Sequence, residues 1–178
     1  MLISEAQHEL RVTYRRGSYG QAISSIVWAT SAALATWGSF RLAAAALVLG
    51  GALIFPLTSL TLRLLGRPAS LDRSNPFRAL AIQSAFVLPF SMPLVAPVVA
   101  YNQALFFPAM MILLGAHYLP FATLYGMASF LVLGGVLVAG GVLIALSWPE
   151  VAPLGGWVAA SALLVFAGIE LKRASRGV

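Results

Sequence analysis

The sequence predicts an all-α fold, a polytopic transmembrane bundle of six helices preceded by an amphipathic surface helix. Of its 178 residues, 60% are hydrophobic and only 9% are charged, whereas roughly a quarter of the residues are charged in a soluble domain. The mean hydropathy of +0.91 is that of a chain whose solvent is lipid. Apolar stretches close to the roughly 20 residues of a spanning helix also recur along the chain. Together these observations exclude a water-soluble globular domain.

The N-terminal segment predicts an amphipathic helix on the cytoplasmic surface of the membrane. Ile3, Ala6, Leu10 and Tyr14 fall on one helical stripe, and the arginines beside them are typical of a helix held near anionic lipid. The segment lacks the apolar run of roughly 7–15 residues that a signal peptide requires. The predicted organisation is a cytoplasmic juxtamembrane segment, a six-span transmembrane domain and a basic cytoplasmic tail, at residues 1–19, 20–171 and 172–178.

Six spanning helices are predicted from the lengths of the apolar stretches and from the residues at their ends. Only four residues, from Gly38 to Arg41, separate the first two, which predicts a tight hairpin. Asn75-Pro76 is typical of an N-cap followed by proline at the first helical position, so the third helix is predicted to begin there. A break at Trp148-Pro149-Glu150 precedes the sixth helix. The bounds predicted for the first, second, third and sixth helices are 21–37, 42–62, 76–100 and 154–171.

The fourth and fifth helices lie within residues 104–146, and the turn between them has two candidate positions. A turn at residues 115–120 leaves a fourth helix of about 14 residues, roughly 21 Å long, which is too short to span. A turn at residues 125–128 gives two helices near standard length and uses Gly126 as a helix stop. We favour the second position, which makes Pro120 a kink inside the fourth helix.

The distribution of basic residues predicts that both termini are cytoplasmic. Six spans place the termini on one side, and with that side inside, only Arg41 of the 11 Lys and Arg residues faces outwards. This arrangement satisfies the positive-inside rule. Trp37, Trp148 and Trp157 then lie at the outer interface, as expected for an aromatic belt. The sequence therefore predicts a multi-pass membrane protein with cytoplasmic N and C termini.

Three prolines recur every four residues in the third helix, at Pro89, Pro93 and Pro97. Each lacks an N–H, so the carbonyl four residues earlier loses its helical donor. Inside a bilayer, the resulting stripe of carbonyls needs a donor, water or a ligand. The stripe either lines a polar cavity, as in transporters with broken helices, or belongs to a curved helix whose carbonyls are satisfied by neighbouring side chains. Both interpretations stay open.

His117 is the one titratable base predicted within the spans, and ionisable groups there are functional candidates by default. Tyr118 adjoins it, and Tyr125 lies two helical turns further on. Such a group of side chains is able to bind an anionic or polar headgroup or to pass a proton; otherwise His117 is an interfacial side chain bonded to a carbonyl. The predicted ligand-binding residues are His117, Tyr118, Tyr125, Pro89, Pro93, Pro97 and Gln83.

Other features favour packing over chemistry. Glu170 is close in sequence to Lys172 and Arg173 and is interpreted as forming an ion pair with them at the surface. Gly134 and Gly141 recur on one face of the fifth helix and allow close packing, either within the chain or in a homo-oligomer. The chain has no cysteine, and phosphate-loop and nucleophile-elbow motifs are missing. We therefore predict no catalytic residue, no metal site, no cofactor and no nucleic-acid partner.

Several short motifs occur in a fixed order over about residues 15–169: Phe55-Pro56, Asn75-Pro76, and Gly115-Ala116-His117-Tyr118-Leu119-Pro120-Phe121 with Tyr125. In these motifs the chain resembles an uncharacterised family of small bacterial six-helix integral membrane proteins, classed as a domain of unknown function. The resemblance brings no established activity. It implies a bacterial inner-membrane location and directs attention to the segment around His117.

The sequence favours a carrier-like or channel-like protein that binds a small or lipidic solute in an intramembrane cavity, with membrane lipid as a partner. The proline spacing and the lone membrane histidine are the grounds for this hypothesis. An alternative is a non-catalytic assembly protein, held as a homo-oligomer by glycine-rich helix faces. A membrane enzyme acting on lipid comes third, because a second catalytic group is missing from the spans.

Overall fold

The protein is described by a computed structural model that covers residues 1–148, 150–151 and 153–176. Within these residues the regular secondary structure is helical, which confirms the predicted all-α class. The helices are α1 (Ile3–Thr13), α2 (Ser18–Trp37), α3 (Phe40–Leu64), α4 (Arg78–Ser91), α5 (Val95–Tyr101), α6 (Phe106–His117), α7 (Leu119–Tyr125), α8 (Ser129–Ser147) and α9 (Leu154–Ser175). Pro149 of the predicted break and the last two residues of the predicted tail lie outside the described residues.

Among the described residues, five helical stretches are long and apolar enough to cross a membrane. They are Phe40–Leu64, Arg78–Tyr101, Gln103–Tyr125, Ser129–Ser147 and Leu154–Ser175. α2 also has the length of a span, with 20 residues, or roughly 30 Å, but its serines and Gln21 make it more polar. α2 packs most extensively against α9 and α3, and Gln21, Ser24, Ser25 and Ser31 are all buried. The least apolar helix of the bundle is therefore shielded from lipid by its neighbours.

Serine side chains of α2 fasten it to both neighbouring helices. Ser25 Oγ donates to the Ala160 carbonyl of α9 at 2.8 Å, and Ser31 Oγ donates to the Ala43 carbonyl of α3 at 2.7 Å. Interhelical hydrogen bonds of this kind stabilise a membrane bundle by about 0.6 kcal/mol each on average. They also determine which face of α2 meets each partner helix.

α6 and α8 approach each other closely through glycines. A Cβ atom built on Gly134 would lie 2.7 Å from the Gly115 carbonyl oxygen, and one on Gly141 would lie 2.7 Å from the Pro108 carbonyl oxygen. The Gly134–Gly141 face is therefore used for packing within the chain. Gly135, the next residue, is exposed, and a Cβ built there meets no atom of the described residues within 4 Å.

The third span is not one continuous α-helix, because its prolines divide it. α4 ends at Ser91, residues 92–94 form a 3-10 turn, and α5 follows. The tighter winding brings main-chain N–H groups to the carbonyls of Pro89 and Pro93. The predicted stripe of free carbonyls is therefore wrong at these two positions.

The third span begins at Arg78, two residues after the predicted start at Pro76. Asn75 Oδ1 accepts a hydrogen bond from the Phe77 N–H at 2.8 Å, and its carbonyl accepts one from the Arg78 N–H at 3.1 Å. Asn75 thus holds a turn that precedes the helix, as side chains of this type commonly do. The N-cap of α4 is Phe77 and not Asn75 as predicted, so the helix begins about half a turn later than the sequence indicates.

The turn between the fourth and fifth spans lies at Gly126, which confirms the position favoured by the sequence. Gly126 has φ +61°, a left-handed conformation that glycine adopts without a steric penalty. A side chain there would also meet Gln7, whose Oε1 atom lies 2.6 Å from a constructed Cβ. The span itself is interrupted between α6 and α7 at Tyr118, with Pro120 in the first turn of α7, so the predicted kink is present.

We expect Gly134→Ala to lower the free energy of unfolding by about 1–3 kcal/mol, because the added methyl group forces α6 away from α8. Gly168→Ala is the matched control: a Cβ there meets no atom of the described residues within 4 Å, and the change is expected to be neutral or stabilising by up to about 1 kcal/mol. Unfolding of each purified variant by SDS titration in mild detergent measures the difference. Equal stabilities would contradict the close approach of the two helices.

Candidate functional site

Five rings pack together in the half of the bundle beneath α1, and we call them the aromatic cluster: His117, Tyr118, Phe121, Tyr125 and Phe130. The His117 ring lies 4.9 Å from that of Phe121 in an edge-to-face contact. Phe121 stacks on Tyr125 at 6.0 Å, and Phe130 of α8 lies 5.1 Å from Tyr125. Aromatic pairs in such geometries contribute about 0.5–1.5 kcal/mol each beyond their buried area. The structure thus brings together three of the predicted ligand-binding residues.

Two buried polar atoms beside the aromatic cluster have no hydrogen-bond partner among the described residues: Gln21 Oε1 and His117 Nδ1. The Gln21 residue is 3% exposed and lies near Phe130, and the His117 ring adjoins that of Tyr118. Ser24, also 3% exposed, lies within hydrogen-bonding reach of the Tyr118 hydroxyl. An unsatisfied polar group in apolar surroundings costs several kcal/mol. These atoms therefore mark a position that is suited to a polar partner.

The other predicted site residues lie apart from the aromatic cluster. Gln83, Pro89, Pro93 and Pro97 are all exposed on the outer surface of the third span. Only 11% of that span's most apolar window is buried, so this face is directed towards lipid. Within the part of the chain that it describes, the structure does not bring the prolines and His117 into one cavity.

The end of the bundle beneath α1 contains a buried ion pair that was not predicted from the sequence. Glu170 of α9 is 0% exposed; it accepts hydrogen bonds from Arg16 Nε at 2.7 Å and Arg173 NH1 at 2.8 Å. The interpretation of Glu170 as a surface pair is wrong, because Arg16 from the opposite end of the chain encloses it. Leu163 and Ala167 precede Glu170 on the same buried face. That helical spacing is the signal that would have revealed the buried carboxylate.

Arg15, Arg16 and Gly17 form a left-handed turn between α1 and α2. Their φ angles are +50°, +58° and +80°, and for a non-glycine residue this conformation costs roughly 1–2 kcal/mol. Contacts around the turn offset that cost. Ser18 Oγ donates to the Arg15 carbonyl at 2.8 Å, and Arg15 NH1 donates to the Ala174 carbonyl at 3.1 Å. The left-handed turn is therefore fastened to the C-terminal end of α9.

α1 packs across the ends of the spans, with Leu10 only 1% exposed. Two of its side chains bond to the last carbonyls of α7. Gln7 Nε2 donates to the Thr123 carbonyl at 2.8 Å, and Arg11 NH1 donates to the Tyr125 carbonyl at 2.6 Å. The Thr123 carbonyl also accepts from the Gly126 N–H at 3.3 Å, whereas Tyr125 is the last residue of α7 and its carbonyl has no donor within the helix. The predicted surface helix thus forms a polar cap over the aromatic cluster.

Glu9 of α1 ties down the polar loop between α3 and α4. Its Oε1 accepts from the Asp72 N–H at 2.6 Å, and its Oε2 accepts from Asn75 Nδ2 at 2.7 Å. The Ser74 hydroxyl and N–H both donate to Asp72, which lowers the pKa of this carboxyl below its ordinary value of 3.8. Burial raises the pKa of the neighbouring Tyr14 above 10.0, and the Glu9 carboxylate adds to the effect. The loop is thus held in one position against α1.

Apolar helices of spanning length, serine bonds between helices and a polar cap at one end define a multi-pass α-helical membrane protein. The chain belongs to a family of unknown function, DUF7010, whose model matches residues 3–171. This match confirms the resemblance to an uncharacterised family. No curated protein and no solved structure matches the chain.

We expect Glu170→Gln to lower the free energy of unfolding by about 3 kcal/mol, because removing one partner of a buried ion pair leaves the Arg16 charge uncompensated. Glu150→Gln is the matched control, since Glu150 is exposed and its loss is expected to change stability by no more than about 0.5 kcal/mol. SDS titration in mild detergent measures both variants. A Glu170 variant as stable as the Glu150 variant would show that the ion pair does not hold the two chain ends together.

Proposed function

We propose that this protein is carrier-like and binds a neutral, hydrogen-bonding solute or lipid beside the aromatic cluster. The observation that carries the proposal is the pair of unpaired buried atoms on Gln21 and His117. An amide oxygen accepts hydrogen bonds, and a neutral imidazole nitrogen donates or accepts. A solute with hydroxyl or amide groups supplies partners for both atoms.

The surroundings of these atoms favour a neutral solute over an ion. Among the described residues, no three His, Cys, Asp or Glu side chains group closely enough to hold a metal ion. The buried Glu170 carboxylate is already shared by Arg16 and Arg173. An ion that entered the bundle would lose its hydration without meeting an opposite charge. A molecule with a polar head and an apolar body suits the aromatic rings and the unpaired atoms together.

The protein is further proposed to lie in the bacterial inner membrane with both termini in the cytoplasm. The basic residues support this orientation, since Arg15 and Arg16 of the left-handed turn bond to the C-terminal part of α9 at one end of the bundle. At the other ends of α2 and α9, Trp37 and Trp157 pack edge to face, 5.9 Å apart. The arginine-rich end then faces the cytoplasm by the positive-inside rule, and the tryptophans lie at the outer interface.

Native mass spectrometry of the protein, released from bacterial membranes in gentle detergent, tests the proposed site. We expect a discrete added mass on the wild-type chain, with its occupancy reduced at least roughly five-fold in His117→Ala and Gln21→Ala, because each loses a hydrogen bond worth about 1 kcal/mol. Gln83→Ala is the matched control, since it removes an exposed polar group from another span. Unchanged occupancy in His117→Ala, or loss in Gln83→Ala alone, would contradict the site.

A homo-oligomer is a second proposal, supported by the outward face of α8. Gly135 and Ala139 lie four residues apart and are exposed, a spacing that lets a second helix approach closely. Gly135→Ile is then expected to dissociate the oligomer, whereas Gly168→Ile on the exposed face of α9 leaves it intact. Native mass spectrometry reads the subunit number directly, and identical oligomers from both variants would exclude this face.

A further inference from the structure

A basic cleft of about 170 Å³ opens at the end of the bundle where α1 lies. Three separate segments contribute to it: α1 with the left-handed turn, the loop that follows α3, and the C-terminal part of α9. Its lining includes His8, Arg11, Arg15, Arg16, Arg67 and Ala174. Four guanidinium groups therefore converge from distant parts of the sequence, and we call this space the arginine cleft.

The positive charge of the arginine cleft is not balanced by the described residues. None of the carboxylates among them lines the cleft. Glu170 accepts only the Nε group of Arg16, and it also neutralises Arg173. Arg16 is paired with Glu170, whereas Arg11, Arg15 and Arg67 have no carboxylate partner among the described residues. Their like charges repel one another across a small space, and the repulsion is weakly screened where the side chains are partly buried. An anion in the cleft relieves that repulsion.

Donor groups remain free for such an anion. Arg15 Nε is buried without a hydrogen-bond partner in the described part of the chain. The Arg67 side chain is exposed, and hydrogen bonds from its guanidinium to the described residues are likewise missing. Guanidinium groups offer planar pairs of N–H donors that match the oxygens of phosphate. Several such donors in one cleft are suited to a tetrahedral oxyanion.

The arginine cleft is held open by contacts that do not use these free donors. Arg11 is fixed by the Tyr125 carbonyl, and Arg15 is fixed by Ala174 and by Ser175 Oγ. The left-handed conformation of Arg15 and Arg16 is the backbone feature that directs two adjacent arginines to one cleft, and strain of this kind concentrates at binding sites. The cleft is thus preorganised before an anion arrives, which lowers the entropic cost of binding.

We propose that the arginine cleft binds a phosphate-type oxyanion, either free phosphate or the phosphodiester headgroup of an anionic lipid. Val12 lines the same cleft and is 52% exposed, which places an apolar side chain beside the charged groups, as at a membrane surface. The cleft is distinct from the neutral atoms beside the aromatic cluster, and its ligand is charged. Binding at the arginine cleft is therefore independent of binding at the proposed solute site.

Binding is measured with the full-length protein in phosphatidylcholine nanodiscs, at constant and roughly physiological ionic strength. Inorganic phosphate and dioctanoyl phosphatidylglycerol are titrated separately by isothermal calorimetry, with dioctanoyl phosphatidylcholine as the neutral lipid. We expect single-site binding of at least one anionic probe, weakened roughly ten-fold or more in Arg67→Gln through the loss of charge-assisted hydrogen bonds. Arg63→Gln is the matched control, because Arg63 is exposed just upstream and lies outside the cleft; a change of less than about two-fold is expected there.

The outcomes separate the two sources of the oxyanion. Binding of inorganic phosphate that is lost in Arg67→Gln supports a site for free phosphate, and binding of phosphatidylglycerol alone, lost in the same variant, supports a lipid headgroup. An unaltered unfolding midpoint of ligand-free Arg67→Gln confirms that the fold is intact. If the Arg63 and Arg67 variants both bound the anionic probe equally weakly, the binding would arise from the general positive charge of the surface. That result would overturn the proposal. Failure of both anionic probes to bind the wild-type protein overturns it as well.

Discussion

The carboxylate of Glu170 joins the beginning and the end of the membrane domain. It is fully buried, and an isolated charge in that position would be very costly, so Arg16 and Arg173 must stay beside it. The contact with Arg16 holds the left-handed turn in place. The position of this turn determines where α1 ends and where α2 begins. The position of α1, its bonds to α7 and the arginines that line the cleft all follow from that one anchored residue.

The second constraint is the shortage of water among the spans, which decides how the helices meet. Small residues and serines make the contacts, since lipid provides no hydrophobic force to drive apolar side chains together. Ser25 and Ser31 bond α2 to α9 and α3, and Gly134 lets α8 touch the main chain of α6. The same shortage explains why the prolines of the third span are accommodated by a 3-10 turn, which gives carbonyls new main-chain donors.

The all-α class, the order of the helices and the turn at Gly126 could be predicted from the sequence, because they depend on local properties such as length, hydropathy and residue type. The sequence predicts six spans, whereas five stretches of the described residues are long and apolar enough to cross a membrane, because the serines and Gln21 of α2 make that helix more polar. The face that each helix buries could not be predicted, because it depends on the neighbouring helices, which hydrophobic periodicity does not identify. Pro89, Pro93 and Pro97 share a face, as their spacing predicts, but that face is exposed. Within the candidate site, His117, Tyr118 and Tyr125 do meet in one cluster. Gln21 and Ser24 were not identified and Glu170 was assigned to the surface, because the burial of these side chains arises from contacts between residues far apart in the sequence.

Neutral polar groups and charged groups are separated along the bundle for a physical reason. Guanidinium groups keep their charge at all physiological pH values and are least costly at the interface, whereas amide, hydroxyl and imidazole groups are tolerated deeper among the spans. The left-handed turn lies between the two regions: Arg15 and Arg16 line the arginine cleft, and a Cβ on Gly17 would lie 3.0 Å from Phe130 of the aromatic cluster. Only glycine meets both its positive φ and that contact without strain. The left-handed turn is therefore in contact with both regions, although they suit ligands of opposite character.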